Sequence, residues 1–313
     1  MSDTLTSPTN FRSGFVAIVG AANAGKSTLL NALLRAKISI VSKKPHTTRN
    51  RIAGIKTTPE YQIIFVDTPG FAERRSTGEL SRFVSSALAE AASEGDAVLL
   101  VLDGHELARR PEGLGALPQE LSERGIPRVD VVAINKIDAI PHEGLLPLLQ
   151  RLGEIFPAET DLVPISALRK DGLDILEKVL IGRIPEGPQL FPPDTITDQS
   201  EAFLAAEIVR EKLITFLNQE LPYSVAVRTE GWEEEDALLR IHAAILVERD
   251  SQKAIVVGKG GQKIKQVGQA ARLELEKIFG THVYLNLFVR VEENWTRSKG
   301  GLLKAGYSKL DPV

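Results

Sequence analysis

Gly20-Ala-Ala-Asn-Ala-Gly25-Lys26-Ser27 follows an apolar run, Gly14 to Gly20 (GFVAIVG), and opens a helical one, Thr28 to Ala36 (TLLNALLRA). The spacing is GxxxxGK[ST], set between a strand and a helix. Its glycines let successive backbone N–H groups turn inward on phosphates, and the helix amino terminus adds its positive end. Lys26 is then expected to reach the β- and γ-phosphates, and the Ser27 hydroxyl to ligate Mg²⁺. Gly20, Asn23, Ala24, Gly25 and Thr28 complete the expected cradle.

Four further runs have the character of that first strand: Gln62–Asp67, Asp96–Asp103, Asp130–Asn135 and Asp161–Ser166. Each is short, bounded by turn residues and apolar on both faces, as buried strands of a mainly parallel sheet are. Segments of helical length separate them, for example Glu79 to Ala92 and Gly144 to Phe156. Residues 14–182 therefore read as a doubly wound α/β domain of the P-loop kind.

Three strand ends carry the remaining site signals. Asp67-Thr-Pro-Gly70 puts a carboxylate where it holds Mg²⁺ through water and an N–H, at Gly70, where it meets the γ-phosphate. Asn135-Lys136-Ile137-Asp138 places a carboxylate able to accept both N–H groups of guanine N1 and N2. Adenine lacks that donor pair and would leave Asp138 unpaired, which is costly when buried. Ser166-Ala167-Leu168 supplies a backbone N–H for guanine O6. DTPG or NKxD alone is a weak signal; in this order after a P-loop they make guanine the expected base.

After residue 182 the composition changes. Residues 183–200 (RIPEGPQLFPPDTITDQS) hold four prolines and no period, which reads as a linker. Asp198-x-x-Glu201 resembles a capping box opening a helix whose apolar face is Ala206, Val209, Leu213 and Phe216. Strand-like runs at Ser224–Glu230 and Ala237–Val247, a Lys/Gly-rich turn, a helix near Gln262–Phe279 and a strand His282–Val291 follow. Residues 201–313 thus read as an α+β domain of about 110 residues.

Gly258-Lys259-Gly260-Gly261 lies between an apolar segment, residues 254–257 (AIVV), and the helix near Gln262–Phe279, in an α-β-β-α-α-β order that resembles the bacterial type of KH fold. Glycines there let the turn approach an RNA backbone closely. Residues 251–265 carry Lys253, Lys259, Lys263 and Lys265 with no acid; residues 297–309 add Arg297, Lys299, Lys304 and Lys309, again with none. The whole 201–313 stretch balances sixteen basic against sixteen acidic residues, so its charge is patterned into a local stripe. Val256, Val257, Ile264 and Val267 are candidates for an apolar groove on which bases lie, some of them also core. Trp232 precedes Glu233-Glu-Glu-Asp236 and reads as structural, whereas Trp295 stays undecided.

Composition narrows the field. The chain has 313 residues, 43% hydrophobic and 25% charged, with Lys+Arg 38 against Asp+Glu 41 and a net charge of −3. That suits two domains and confines any nucleic-acid affinity to patches. Without cysteine there is no disulfide, thiolate metal site or cysteine nucleophile. No apolar run approaches the ~18 residues of a membrane span. Residues 1–13 read as a mobile tail without the pattern of a signal peptide, and a cytoplasmic protein is expected. The five histidines show no metal-ligand spacing.

Together the motifs resemble those of translation-factor-type GTPases, and more closely the Era family. The resemblance extends to Lys44-Pro-His-Thr-Thr-Arg49, Pro185-Glu-Gly-Pro188, Pro222-Tyr-Ser-Val225 and Val257-Gly-Lys-Gly-Gly-Gln-Lys-Ile-Lys265, and so covers nearly the whole chain. It implies a P-loop GTPase domain followed by a KH domain of the bacterial type. Its implied catalytic set is Lys26, Thr48 and Gly70. Ser27, Asp67 and Thr48 are the implied Mg²⁺ ligands, with Thr47 as the alternative to Thr48. Implied RNA contacts are Val257, Gly258, Lys259, Gly260, Gly261, Lys263, Ile264 and Lys265.

The chain also departs from the family pattern. Ala21-Ala22 stands where Arg-Pro is usual, and His46 where glutamine is common. Phe71 occupies the position at which Ras-like enzymes carry a water-orienting glutamine, so slow intrinsic hydrolysis is expected. Asn23 matches the asparagine of potassium-using GTPases and suggests a K⁺ site, a plain turn being the equal alternative.

The implied function is a monomeric GTP/GDP switch that binds 16S rRNA near its 3′ end and acts in assembly of the 30S ribosomal subunit. Two other classes compete. One is a membrane-associated GTPase whose basic tail meets anionic lipid; residues 300–310 offer it little helical moment and no lipidation motif, and peripheral contact stays open. The other is a non-hydrolysing clamp, suggested by Phe71.

Overall fold

The computed structural model describes residues 10–42, 44, 47–71, 79–126, 128–217 and 224–307. By its contacts the chain forms two units, Met1–Ser39 with Thr48–Arg75 and Val84–Asp198, and Ile40–Thr47 with Ser76–Phe83 and Gln199–Val313.

In the first unit six strands form one sheet in the order β2-β3-β1-β4-β5-β6: β1 (Arg12–Val19), β2 (Ile52–Thr57), β3 (Tyr61–Asp67), β4 (Ala97–Asp103), β5 (Val131–Asn135) and β6 (Asp161–Pro164). Only β2 runs antiparallel to its neighbour. Val16 to Val19 and Val98 to Val101 are wholly buried, as central strands covered on both faces must be. The helices are α1 (Lys26–Leu34), α2 (Glu79–Glu94), α3 (Gly104–Arg109), α4 (Leu117–Glu123), α5 (Leu145–Ile155) and α6 (Leu173–Arg183). The expected mainly parallel α/β domain is therefore present. Because β1, β3 and β5 are parallel, the P-loop, Asp67 and Asn135 all leave the sheet at its carboxyl edge, where such sheets bind ligands.

Two boundaries differ from expectation. β1 begins at Arg12, within the stretch assigned to a mobile tail, because Arg12 and Ser13 pair with Tyr61 and Gln62 of β3. The Pro-rich tract is also no free linker: it is tied down through Asp198. Ser13 donates from its amide to the Pro185 carbonyl and from its hydroxyl to that of Pro188. Gln62, fully buried, accepts from the Leu190 and Phe191 amides and donates to the Phe191 carbonyl. Further on, Ile55 N–H donates to Ile196, the Thr197 hydroxyl to Ala53, and Ala53 N–H to Asp198 Oδ1. The tract covers the free edge of β2, which would otherwise be a template for pairing, and prolines are tolerated at such an edge. Asp198, engaged in this way, does not cap the next helix. Ser200 does, accepting the Phe203 amide.

The second unit holds α7 (Glu201–Phe216), β7 (Ala226–Glu235), β8 (Leu238–Val247), α8 (Asp250–Val257), α9 (Gln262–Phe279), β9 (His282–Val291) and α10 (Lys299–Lys304). The order α-β-β-α-α-β is the expected one. β8 is central, antiparallel to β7 and parallel to β9. Val209, Leu213, Ile241, Ile245, Val256, Val267, Ala271 and Leu275 form part of its core. Trp295, fully buried, stacks on Tyr307 at 5.8 Å and is no exposed platform. Trp232 meets Phe279 edge to face, as its structural reading requires.

Replacing Gln62 by Leu should leave two amides and a carbonyl of the tract without partners, at a cost on the order of 2–4 kcal/mol. Urea unfolding followed by far-UV circular dichroism checks this; an unchanged midpoint would show that the tract is not held by Gln62.

Candidate functional site

α1 starts at a bare amino terminus. Its cap is Gly25, with φ 98°, no side-chain cap and no acid in the first turn, so the helix amides and the positive helix end are free to receive an anion. A Cβ on Gly25 would lie 2.2 Å from Asn135 Nδ2. Asn135 itself donates to the Ala24 carbonyl (2.8 Å) and accepts the Ala167 amide (3.0 Å), bracing the P-loop against the base-side loop. Asn23 is exposed in a left-handed turn, φ 63°. Thr28, half-buried, follows in the first turn of α1.

Two opposite charges are buried here. Lys26 Nζ donates to the carbonyls of Gly20 and Ala21, both at 2.9 Å. Burial depresses its pKa to about 8, against the opposing pull of Asp67. Burial likewise pushes the Asp67 carboxyl up, opposed by Lys26, Ser27 and Ser39. Asp67 Oδ2 accepts from Ser27 (2.8 Å) and Ser39 (3.0 Å), while Oδ1 is buried without a partner. The Ser27 and Thr48 hydroxyls lie 2.9 Å apart. Since the one Ser27 proton goes to Asp67, Thr48 is the donor of that bond. A carboxylate oxygen lacking a partner beside two hydroxyls is a hard oxygen set that suits a small divalent cation. Thr47 points elsewhere: its hydroxyl donates to the Lys44 carbonyl. Pro45 and His46 of the same motif lie outside the described residues.

Gly70 packs so tightly that a Cβ would fall 2.7 Å from Ala22 Cα and 2.9 Å from Lys26 Nζ. Phe71 exchanges backbone hydrogen bonds with Gly20 and Ala22, and its ring is buried with Arg124 over it at 4.6 Å. A side chain so placed holds no water for attack.

On the base side, Asp138 Oδ1 accepts from the Ser166 hydroxyl (2.6 Å) and Arg169 stands 4.0 Å from Oδ2. Leu168 is 77% exposed. With its amide engaged by Asn135, Ala167 leaves a guanine O6 to share that donor or to take the next one. Lys136, left-handed at φ 66°, donates to Asp103 Oδ2.

In the second unit Gly258, Gly260 and Gly261 all have positive φ (74°, 57° and 74°), forming a turn between α8 and α9 that only glycine adopts freely. Lys259 and Lys265 are exposed, Val257, Lys263 and Ile264 half-buried. Val256 and Val267 are core, so the candidate groove narrows to Val257 and Ile264. Among the described residues Lys253, Lys259, Lys263 and Lys265 enter no ion pair. Lys304 of the second basic run is different, being paired with Glu292 at 2.7 Å. Lys309, Pro222 and Tyr223 lie outside the described residues.

Residues 15–136 match the family described as 50S ribosome-binding GTPase, and residues 220–296 match the KH domain. The GTPase Era of Syntrophus aciditrophicus is 44% identical over 301 residues, covering 96% of either chain. That of Xanthomonas axonopodis pv. citri is 44% identical over 306 residues, covering 97% of this chain and 99% of its own. The chain belongs to the Era family of GTPases. Two solved Era structures agree with its fold at TM-score 0.88 and 41% identity. One is an Aquifex aeolicus variant bound to GDP·AlF4⁻, covering 95% of this chain and 100% of its own. The other is Era in complex with MgGDPNP and nucleotides 1506–1542 of 16S ribosomal RNA, covering 96% and 100%. The chain is thus a GTP-binding hydrolase with a carboxyl-terminal KH domain.

Sequence reasoning passed over two groups of this Era-family site. Asp103 ends β4, caps α3 through the Glu106 amide and orients Lys136; its strand-end position was the available signal. Ser39, with no motif around it, reaches Asp67. No helix among the described residues is long and apolar enough to cross a membrane.

Asp138→Asn should weaken GTP binding by roughly 10⁴-fold and admit xanthosine triphosphate, since N–H donors would then face the C2 oxygen. Competition titration measures both affinities, and unchanged GTP affinity would refute the guanine assignment. Lys26 offers a second check. Its pKa in the free protein is about 8, and phosphates raise it, so nucleotide binding takes up protons above pH 8 and affinity falls as pH rises. At pH 8.5 the uptake should be roughly 0.7 proton. Calorimetry in buffers of different ionisation enthalpy reads it directly; zero uptake would mean that Lys26 does not meet the phosphates.

Proposed function

We propose that this Era-family GTPase is a switch in small-subunit assembly that binds the 3′ end of 16S rRNA through its KH loop, in the cytoplasm. The observation that carries the nucleotide half is the convergence of Ser27, Thr48 and the unpartnered oxygen of Asp67. These three residues would hold Mg²⁺, which when bound neutralises charge on the β- and γ-phosphates. Lys26 neutralises the same phosphates, the Gly70 amide meets the γ-phosphate, and Asp138 with the Ser166–Leu168 loop selects guanine. Thr48, not Thr47, is the ligand of choice because only its hydroxyl lies beside Ser27. Phe71 leaves no side chain to orient water, so turnover is slow until RNA orders the site. A K⁺ ion beside Asn23 belongs to the same reading; exchange of K⁺ for Na⁺ in the turnover assay checks it.

For the RNA half, the support is the turn of positive-φ glycines, the lysines around it that enter no ion pair among the described residues, and the RNA-bound relative. A Cβ at Gly261 meets nothing within 4 Å, so that residue faces open space. Lys259→Glu with Gly261→Asp would put carboxylates where phosphates must approach. In full-length protein this pair should weaken binding of a 16S 3′-end oligonucleotide and reduce the salt slope by about 0.7 per lost phosphate contact. Basal GTP turnover should survive while its stimulation by RNA falls. A double mutant that binds the oligonucleotide as tightly as the parent would remove the RNA assignment and leave the GTPase assignment standing.

A further inference from the structure

Three charged residues of α7 are buried: Glu207, Arg210 and Glu211, with Arg210 only 1% exposed. Buried charges in a helix must find partners, and these three find two kinds. Arg210 is locked by Glu207, donating from Nε (2.7 Å) and Nη2 (2.5 Å). From Nη2 it also donates to the Thr47 carbonyl at 2.5 Å. Glu211 Oε2 accepts the Val41 amide at 3.2 Å. In the other direction, Lys44 Nζ donates to the carbonyl of Ile214, in the last turn of α7, and to that of Leu217, the residue after it. Ile40 is buried in the same core. α7 and the residue that follows it therefore hold Val41, Lys44 and Thr47.

Thr47 is the residue before Thr48. A fixed carbonyl at Thr47 fixes the peptide that leads into Thr48, whose hydroxyl stands 2.9 Å from that of Ser27. We propose that Arg210, set by Glu207, is a positioning residue for the GTPase reaction: its grip on the Thr47 carbonyl presets the Thr48 hydroxyl for the metal–GTP complex. This rests on the reading of Thr48 as a metal ligand. Arg210 never touches the nucleotide. Its effect is confined to the ligand state that uses Thr48, namely the triphosphate with Mg²⁺, because GDP leaves the switch threonine without a γ-phosphate to close on. The remaining Arg210 nitrogen, Nη1, is buried with no acceptor among the described residues, so the grip rests on one carbonyl and is lost when the guanidinium is removed.

The test uses full-length protein and compares binding of Mg·GDPNP with that of Mg·GDP by fluorescent-nucleotide titration. Arg210→Met should weaken Mg·GDPNP about tenfold, raise the Mg²⁺ concentration for half-maximal GDPNP binding, and leave Mg·GDP within twofold. Because Arg210→Met strands the Glu207 charge, Glu207→Met/Arg210→Met is made in parallel; it removes both charges and should give the same selective loss. Arg210→Lys should recover part of the preference. Thr48→Ala should reproduce the selective loss, and adding Arg210→Met to it should cause no further loss. If Thr48→Ala weakens GDPNP while both Arg210→Met variants bind it as the parent does, the positioning role is wrong and the ligand reading stands. If Thr48→Ala leaves GDPNP affinity unchanged, the ligand reading has failed, and with it the basis for the Arg210 role. Equal losses of GDP and GDPNP in both Arg210 variants would likewise overturn the proposal, since a general structural defect predicts that pattern.

Discussion

Lys26 and Asp67 share a buried, incomplete electrostatic site, and much of the first unit exists to keep it so. Removing an ammonium and a carboxylate from water costs several kcal/mol each, and their mutual attraction does not repay it without further hydrogen bonds. Those bonds are supplied in part: two carbonyls to Lys26, two hydroxyls to Asp67. One carboxylate oxygen is left over, and the amides at the start of α1 have no capping side chain. What the site lacks is an anion for the helix end and the lysine, and a cation for the carboxylate. A phosphate chain with a divalent metal supplies both at once. On the proposed assignment, binding energy for nucleotide comes from completing a charge set that the fold already holds in place.

The surroundings enforce that geometry. β1 and β3 are parallel neighbours, in register with Ile18 opposite Asp67, so the loops that follow them emerge side by side. Gly70 permits the second loop to press on Ala22 and Lys26, and Phe71 pins it to the P-loop through backbone bonds while its ring anchors in the core. A hydrophobic residue here buys rigidity of the phosphate cradle at the expense of a water-positioning group. The Ala21-Ala22 pair fits the same account: Ala21 bridges to Phe71, so the P-loop is stiffened by tertiary pairing even without a proline ring.

Legibility in the sequence followed the range of each interaction. The P-loop, DTPG, NKID and SAL signals are local strings whose chemistry is written in adjacent residues, and each sits at the strand end assigned to it. Five of the six strands of the first unit were readable because burial on both faces leaves an unbroken apolar run; β2, at the sheet edge, broken by Gly54 and ending in half-buried Lys56 and Thr57, was not. What escaped has partners far along the chain. Asp103 meets Lys136, Ser39 meets Asp67, and Gln62 is satisfied by residues near 190. The choice between Thr47 and Thr48 could not be made locally, since adjacent threonines are chemically alike; their hydroxyls separate only when one finds Lys44 and the other Ser27. Asp198 looked like a helix cap because the capping pattern is local, and a distant amide, that of Ala53, competed for it and won.

α7 is the extreme case. Ala206, Val209 and Leu213 of its expected apolar face are buried, but Phe216 is 37% exposed, and the same periodic logic consigns Glu207, Arg210 and Glu211 to solvent although all three are buried. Charges retained in a core where apolar residues would pack more cheaply call for a reason beyond stability. Here the reason is directional: an apolar side chain could cover the segment before Thr48 but could not hold one carbonyl oxygen in one place. If that hold favours the metal–GTP state, linkage makes it reciprocal. Any ligand that displaces α7 from Thr47 must weaken GTP binding by the factor by which GTP opposes the displacement. The factor is bounded by the difference in how tightly each state of α7 accepts the triphosphate, so a selective GDPNP loss of about tenfold sets the scale of communication through this helix at about 1.4 kcal/mol. A coupling of that size biases a switch without locking it, which is what a GTPase that must return to its starting state requires.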